Sequence, residues 1–165
     1  KDVAANITES GILRAIHLAE DTLKRAGNAR PSIAVAALNP HAGDHGKFGR
    51  EEIDIITPAI EVCQRQQMDV SGPWPSDTVF LKARRGEVDA VVTMYHDQGQ
   101  IAIKLMGFER GVTVAGGLPI PIATPAHGTA FDIAGQNKAN VSAIRQAFDL
   151  LLRMAKTHSD NKKSA

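Results

Sequence analysis

The chain has 165 residues, of which 43% are hydrophobic and 22% charged, a length and composition that predict one globular domain. Acidic and basic residues are interspersed and sum to a net charge of +1, which argues against the basic stripe of a nucleic-acid-binding surface. No apolar run approaches the ~18 residues of a transmembrane helix, and no secretory signal is visible, so no membrane partner is expected. The single cysteine, Cys63, excludes an internal disulfide and predicts a reducing, cytoplasmic location.

Hydrophobic periodicity predicts alternating helices and strands along most of the chain. The helices are expected near residues 12–23 (after a cap at Thr8 or Ser10), 50–63, 78–85, 100–106 and 140–156. The strands are expected at residues 32–38, 89–95, 112–115 and 120–123. This alternation predicts a layered α/β fold with a largely parallel sheet. Polar, glycine-bearing loops directly follow two of the strands, where ligands bind in open α/β sheets.

Histidine and aspartate residues stand at the ends of two predicted strands. His41, Asp44 and His45 follow the first strand, and His96 and Asp97 follow the second. Two such loops can bring imidazoles together over one sheet edge, and a catalytic metal needs about three protein ligands and an open position. Spacing alone favours the alternative that each histidine only caps its loop, and His45 is well explained as a solvated loop residue.

A third cluster, residues 127–140, is rich in glycine and alanine, which let a backbone approach a planar ligand closely. Asp132 could accept hydrogen bonds from ribose hydroxyls, but a turn leading into a helix capped by Asn140 is an equal alternative. The chain contains no GxGxxG, so a Rossmann site is not supported. Lys104 lies about two helical turns after Asp97, so the two share a face; it could bind an anion or be a solvated surface lysine.

Five motifs occur in a fixed order along the chain. They are Asn39-Pro-His-Ala-Gly43, Gly49-Arg-Glu-Glu-Ile53, Asp77-Thr78, Tyr95-His-Asp-Gln-Gly99 and His127-Gly-Thr-Ala130. Together they resemble the 4-hydroxythreonine-4-phosphate dehydrogenases of pyridoxal phosphate synthesis. The stretch 127–140 also resembles the adenosine loop of the isocitrate and isopropylmalate dehydrogenases. This resemblance covers nearly the whole chain except its tail, and it favours the ligand-binding interpretation of all three clusters.

The resemblance implies an isocitrate/isopropylmalate dehydrogenase-like fold, a three-layer α/β/α architecture with the active site in a cleft between two lobes. Residues 1–95 would form the second lobe, which carries the metal and dimer contacts. Residues 96–156 would return to the first lobe with the NAD loop, and residues 157–165 would be a disordered tail. The family forms homodimers with active sites shared between subunits. Only its C-terminal half is matched, so the chain alone is expected to be inactive.

The activity implied is NAD-dependent oxidation, with decarboxylation, of a small hydroxy acid or diol, assisted by a divalent metal such as Zn, Mg, Mn or Co. His41 and His96 match two of three metal-binding histidines, and the third would lie before Lys1. Lys104 matches a substrate-contacting lysine, and Asp77 and Asp97 match acidic residues lining the site; these three are the predicted catalytic residues. The predicted cofactor-binding residues are His127, Gly128, Thr129, Ala130, Asp132 and Asn140.

Two predicted substrate-binding positions depart from the family. Thr113 stands where the family has an asparagine, and Ile122 where it has an arginine. Replacing a guanidinium by an alkyl chain removes a bidentate anion contact. The change favours a cyclic dihydrodiol carboxylate, as in terephthalate breakdown, over the phosphorylated threonine, unless another basic residue such as Arg110 supplies the contact. A metal-dependent hydrolase and an inactive binding or dimerisation fragment are the other classes considered.

Overall fold

The computed structural model describes the backbone of residues 2–163 and the side chains of residues 2–107 and 109–157. Its helices are α1 Val3–Asn6, α2 Glu9–Arg25, α3 Thr57–Arg65, α4 Val79–Arg84, α5 His96–Gly107 and α6 Ser142–Lys163. Its strands are β1 Ser32–Ala36, β2 Asp69–Trp74, β3 Ala90–Val92, β4 Val112–Ala115 and β5 Ile122–Pro125. Across residues 2–163, no helix has both the length and the apolar character needed to cross a membrane.

The centre of the fold is a parallel sheet in the order β2-β1-β3. Side chains of β1 alternate between its two faces. Ile33 and Val35 join a core with residues of α2 and α3, whereas Ala34 and Ala36 pack with Val79 of α4 on the other face. Helices therefore cover both faces of the sheet, and the predicted α/β class with a parallel sheet is confirmed.

Helix α2 shows how local sequence sets an element. The Oγ1 atom of Thr8 accepts a hydrogen bond from the Gly11 N–H at 3.1 Å, so Thr8 is the N-cap of the two candidates. Ile12 and Ile16 are buried at helical spacing against the sheet. The left-handed Gly27, with φ 102°, lies just beyond the end of the helix.

The second half of the chain adds an antiparallel ribbon, β4–β5, and the long helix α6. The turn of the ribbon lies against α2, where Arg25 donates a hydrogen bond from Nη1 to the carbonyl oxygen of Leu118 at 3.0 Å. Gly116 approaches α2 so closely that a Cβ there would lie 3.0 Å from Thr22 Oγ1. The two halves of the described chain are therefore in contact; their assignment to separate lobes stays a prediction.

Strand β2 is the element that the sequence analysis missed. Its residues include Gly72 and Pro73, which are typical of loops, so no strand is predicted between residues 63 and 78. A proline has no N–H to donate, but β2 lies at the edge of the sheet, where such a residue is tolerated. The pairing shifts register between Ala34 and Ala36, beside this proline.

Several predicted boundaries were also wrong. Strands β1 and β3 end at Ala36 and Val92, earlier than predicted, and β5 is displaced to Ile122–Pro125. Helix α6 continues through residues 157–163 and ends at Lys163, beyond the end predicted near residue 156. That segment contains neither glycine nor proline to stop the helix. Residues 164–165 of the predicted tail lie outside the described residues.

Candidate active site

The loop that carries His41 is a left-handed turn. The Oδ1 atom of Asn39 accepts hydrogen bonds from the backbone N–H groups of His41 and Gly43, at 3.0 and 3.3 Å. Every residue from Ala42 to Gly46 has a positive φ, between 42° and 93°. A left-handed conformation costs a non-glycine residue ~1–2 kcal/mol. Such strain persists only where surrounding contacts hold it, and it is concentrated at functional sites.

Glu52 supports this turn from below. Its side chain is 3% exposed, and its Oε1 accepts a hydrogen bond from the Leu38 N–H at 2.9 Å. Its Oε2 is buried without a partner and lies where a Cβ on Gly43 would approach it to 2.7 Å. In the sequence, Glu52 stands out only as a member of the motif Gly49-Arg-Glu-Glu-Ile53. Burial decides its role, and the sequence gives no direct signal of it.

His96 is the first residue of α5, four residues after β3 ends at Val92, and its side chain is exposed. Its Nδ1 lies 2.9 Å from Asp97 Oδ1. A carboxylate only accepts hydrogen bonds, so in a neutral imidazole this contact favours the tautomer with its proton on Nδ1 and its lone pair on Nε2. Carboxylate–histidine pairs of this kind orient metal ligands.

His41 lies beyond the carboxyl end of β1, and β1 is the direct, parallel neighbour of β3. Both histidine loops therefore lie at the carboxyl end of the sheet. The His41 ring packs against Phe48, with ring centroids 5.8 Å apart. Among the described residues, no group of three His, Cys, Asp or Glu side chains is close enough to hold a metal ion. Two exposed imidazoles, one held by a carboxylate, still fit part of a divalent-metal site. The other ligands would have to come from outside this set.

The other predicted catalytic residues are exposed. Lys104 lies on α5 together with Asp97, and because one helix spans both, they share its face as predicted. Asp77 lies just before α4, beyond the carboxyl end of β2. Asp77 therefore follows β2, the remaining strand of the parallel sheet that also contains β1 and β3.

Thr113 and Ile122, the two positions that depart from the family, lie on paired strands. Thr113 pairs with Thr124, and Ala115 pairs with Ile122. Residues two apart share a face of a strand, so Thr113 and Ile122 are on one face of the ribbon, and both are exposed. The structure thus brings the two departures together, about one diagonal cross-strand step apart.

A groove of about 770 Å³ lies along residues 127–141. Its lining includes most of the predicted cofactor residues: His127, Gly128, Thr129, Ala130 and Asn140. Asp132 does not line it. The Oδ1 atom of Asn140 accepts a hydrogen bond from Ser142 N–H at 2.9 Å, so Asn140 also caps the start of α6. The nucleotide and turn interpretations of this segment are therefore compatible.

Two groups with shifted pKa values lie away from these loops. Burial raises the pKa of the Cys63 thiol, in agreement with a core residue rather than a nucleophile. Hydrogen bonds from the Ser32 backbone N–H and from Asn28 lower the pKa of Asp89. Asp89 fastens the start of β1 to the start of β3, and Oδ2 lies 2.8 Å from the Ser32 nitrogen.

Comparison with known proteins shows the family of the chain. Residues 1–151 match the family described as pyridoxal phosphate biosynthetic protein PdxA. A Pseudomonas aeruginosa protein provisionally named 4-hydroxythreonine-4-phosphate dehydrogenase 2 is 60% identical over 158 residues, which cover 94% of this chain and 47% of that protein. The D-threonate 4-phosphate dehydrogenase of Salmonella typhimurium is 50% identical over 140 residues, covering 85% of this chain and 43% of the relative.

The fold is also that of a solved dehydrogenase. The crystal structure of 4-hydroxythreonine-4-phosphate dehydrogenase from Klebsiella pneumoniae superposes with a TM-score of 0.80 at 43% identity, covering 93% of this chain and 46% of that one. The chain therefore belongs to the PdxA family, whose curated relatives are named dehydrogenases. It spans about half the length of the relatives it matches.

Proposed function

We propose that this chain is the C-terminal half of an NAD-dependent, divalent-metal-dependent dehydrogenase that oxidises the secondary hydroxyl of a small hydroxy acid, with loss of carbon dioxide. The observation that carries the proposal is the His96–Asp97 pair, which leaves an imidazole nitrogen free at the same sheet edge as His41. When bound, the metal supplies Lewis acidity to the substrate oxygen, and NAD supplies the hydride acceptor.

The chain's own residues would orient and bind. Asp97 would orient the His96 ring through Nδ1, so that the lone pair of Nε2 could bind a metal cation. Lys104, on the same face of α5, would bind an anionic group of the substrate. Asp77, beyond the adjacent strand end, would orient ligands or relay a proton.

The groove along residues 127–141 would take the adenosine end of NAD. Small residues leave backbone groups accessible there, and the groove's volume lies in the range of small-molecule sites. The carboxylate of Asp132, next to this groove in sequence, would repel a 2′-phosphate. We therefore expect NAD to be preferred over NADP.

Two classes of substrate are candidates. The names of the relatives point to phosphorylated four-carbon hydroxy acids, 4-hydroxythreonine 4-phosphate and D-threonate 4-phosphate. The shared exposed face of Thr113 and Ile122 favours a second candidate, a cyclic dihydrodiol carboxylate, because Ile122 offers apolar surface without an anion contact. Arg110, exposed before β4, is the residue best placed in sequence to replace the lost cation.

The test is an assay of the full-length gene product with saturating metal and NAD, following NADH formation on all three substrates. His96→Ala should abolish both turnover and stoichiometric metal retention. His17→Ala, an exposed histidine on α2, is the matched control and should change neither. Retention of metal and activity by the His96→Ala protein would contradict the role of His96 as a metal ligand. Equal or better efficiency of the wild-type protein with NADP would contradict the proposed preference for NAD.

We also propose a cytoplasmic homodimer with an active site shared between subunits, in which His41 and His96 bind one metal ion from the same subunit or from different ones; the side chains that the structure describes hold no complete ligand group. Mixing full-length His41→Ala and His96→Ala proteins tests this. If the two ligands come from different subunits, a mixed dimer has one site with both histidines intact and regains activity. If they come from the same subunit, every site is damaged and mixing restores nothing.

A further inference from the structure

The two histidine loops are joined through one backbone residue, Leu38. Its N–H donates to Oε1 of Glu52 at 2.9 Å, and its carbonyl oxygen accepts from Nε2 of Gln98 at 3.1 Å. Leu38 lies three residues before His41, and Gln98 lies two residues after His96. A single peptide segment is thus fixed from both sides by side chains that belong to other elements.

Gln98 is the part of this junction that crosses between strands. Its Nε2 also donates to the Ala37 carbonyl at 3.0 Å, and its Oε1 accepts from the Met94 N–H at 2.9 Å. Ala37 and Leu38 follow β1, whereas Met94 follows β3. The amide is 9% exposed and uses both its donor and its acceptor ends to connect the ends of two neighbouring strands.

Glu52 holds the other side of the junction and the turn beyond it. It begins a π-helical segment, Glu52–Ile56, a feature frequent at functional sites. Its Oε2 has no hydrogen-bond partner and faces Gly43 in the left-handed turn after His41. Burying an unpaired carboxylate oxygen is costly, and core packing alone would be served better by an apolar side chain. Its placement is therefore better explained by the loop that it supports.

We propose that Glu52 and Gln98 are positioning residues, which act through Leu38 to fix the His41 loop relative to the His96 loop. We call these three residues the Leu38 bridge. The inference rests on the proposed function in naming the two histidines as metal ligands. Hydrogen-bonded residues behind metal ligands typically change metal affinity 10–100-fold when they are altered, about the effect expected here.

The test compares two glutamine variants of the full-length protein. Gln98→Met keeps the side-chain length and removes the three hydrogen bonds that the Gln98 side chain makes, to Ala37, Leu38 and Met94. Gln64→Met is the matched control, because the Gln64 side chain also donates to a backbone carbonyl, that of Val70 at 2.8 Å, but at the opposite end of the sheet. Gln98→Met should weaken Co²⁺ binding about 10–100-fold and alter the Co²⁺ absorption spectrum, whereas Gln64→Met should change neither.

A second readout needs no metal. In the metal-free protein, Gln98→Met should speed amide hydrogen exchange across residues 39–46, and Glu52→Leu should speed it across residues 93–98, far away in sequence. Glu52→Gln retains an oxygen for Leu38 and should restore slow exchange. The inference would be overturned if each substitution speeded amide hydrogen exchange only in residues next to it in sequence. It would also be overturned if Gln98→Met and Gln64→Met bound Co²⁺ with the same affinity. If wild-type protein binds no metal but the exchange is coupled, the bridge stands and the proposed metal site fails.

Discussion

Gly43 offers the sharpest test of the loop geometry. It has a φ of 73°, so an alanine there adopts a left-handed conformation at a cost of ~1–2 kcal/mol. The new methyl group would also lie 2.7 Å from Oε2 of Glu52. Glu52 is buried and bound to Leu38, so its retreat breaks a charge-assisted hydrogen bond worth ~1.5–3 kcal/mol. Gly43→Ala should therefore destabilise the protein by about 2.5–5 kcal/mol.

Gly86 supplies a matched control. Its φ of 71° is nearly the same, but nothing lies within 4 Å of the position its Cβ would take. Gly86→Ala should therefore show only the backbone cost of ~1–2 kcal/mol. Equilibrium urea unfolding of both variants measures the difference. The Glu52→Ala background should bring the Gly43→Ala penalty down towards that of Gly86→Ala, because the main remaining neighbour of the new methyl group is the Gly49 carbonyl oxygen at 3.3 Å. Equal penalties for the two alanine variants in the wild-type background would refute the reasoning.

Other outcomes follow from single contacts. Hydrogen bonds lower the pKa of the Asp89 carboxyl in the folded protein. The ionised Asp89 therefore stabilises the fold at pH values above its ordinary pKa of 3.8, and this stabilisation is lost as the pH falls through the lowered pKa. Urea midpoints of wild type and Asp89→Asn should thus differ at neutral pH and converge in acid; a constant difference would count against this. Thr8→Ala should cost about 0.5–2 kcal/mol in the same assay and Ser10→Ala much less, because only Thr8 caps α2; equal losses would be contrary evidence. If phosphorylated substrates lack an anion contact at Ile122, full-length Ile122→Arg should raise kcat/KM for them about 10- to 100-fold. An unchanged kcat/KM, together with efficient wild-type turnover of phosphorylated substrates, would mean that another cationic residue already binds their phosphate group.

Some features of the site could be predicted because they depend on neighbouring residues in the chain. The apolar run of β1 and the polar loop that begins at Asn39 place His41 beyond a strand end without any knowledge of packing. The i, i+7 spacing of Asp97 and Lys104 sets their shared face once α5 is a helix. The family resemblance, confirmed over residues 1–151, was likewise carried by short motifs.

Other features could not be predicted because they depend on contacts between distant segments. A proline-containing segment became β2 only because an edge position tolerates it, and the neighbouring strands decide where the edge lies. The sequence shows Glu52 and Gln98 as ordinary polar residues near helix starts, and burial gave each its hydrogen bonds to Leu38.

The sequence by itself thus determined most of the alternation of helices and strands and the placement of the histidines after strands, since these arise from propensity and periodicity along the chain. Only the tertiary structure decided the order β2-β1-β3, which makes the His41 and His96 loops neighbours. It also decided the direction of the Glu52 side chain. The hydrogen bond that Glu52 Oε1 accepts from the Leu38 N–H forms only when the packing of the whole fold brings these two residues together.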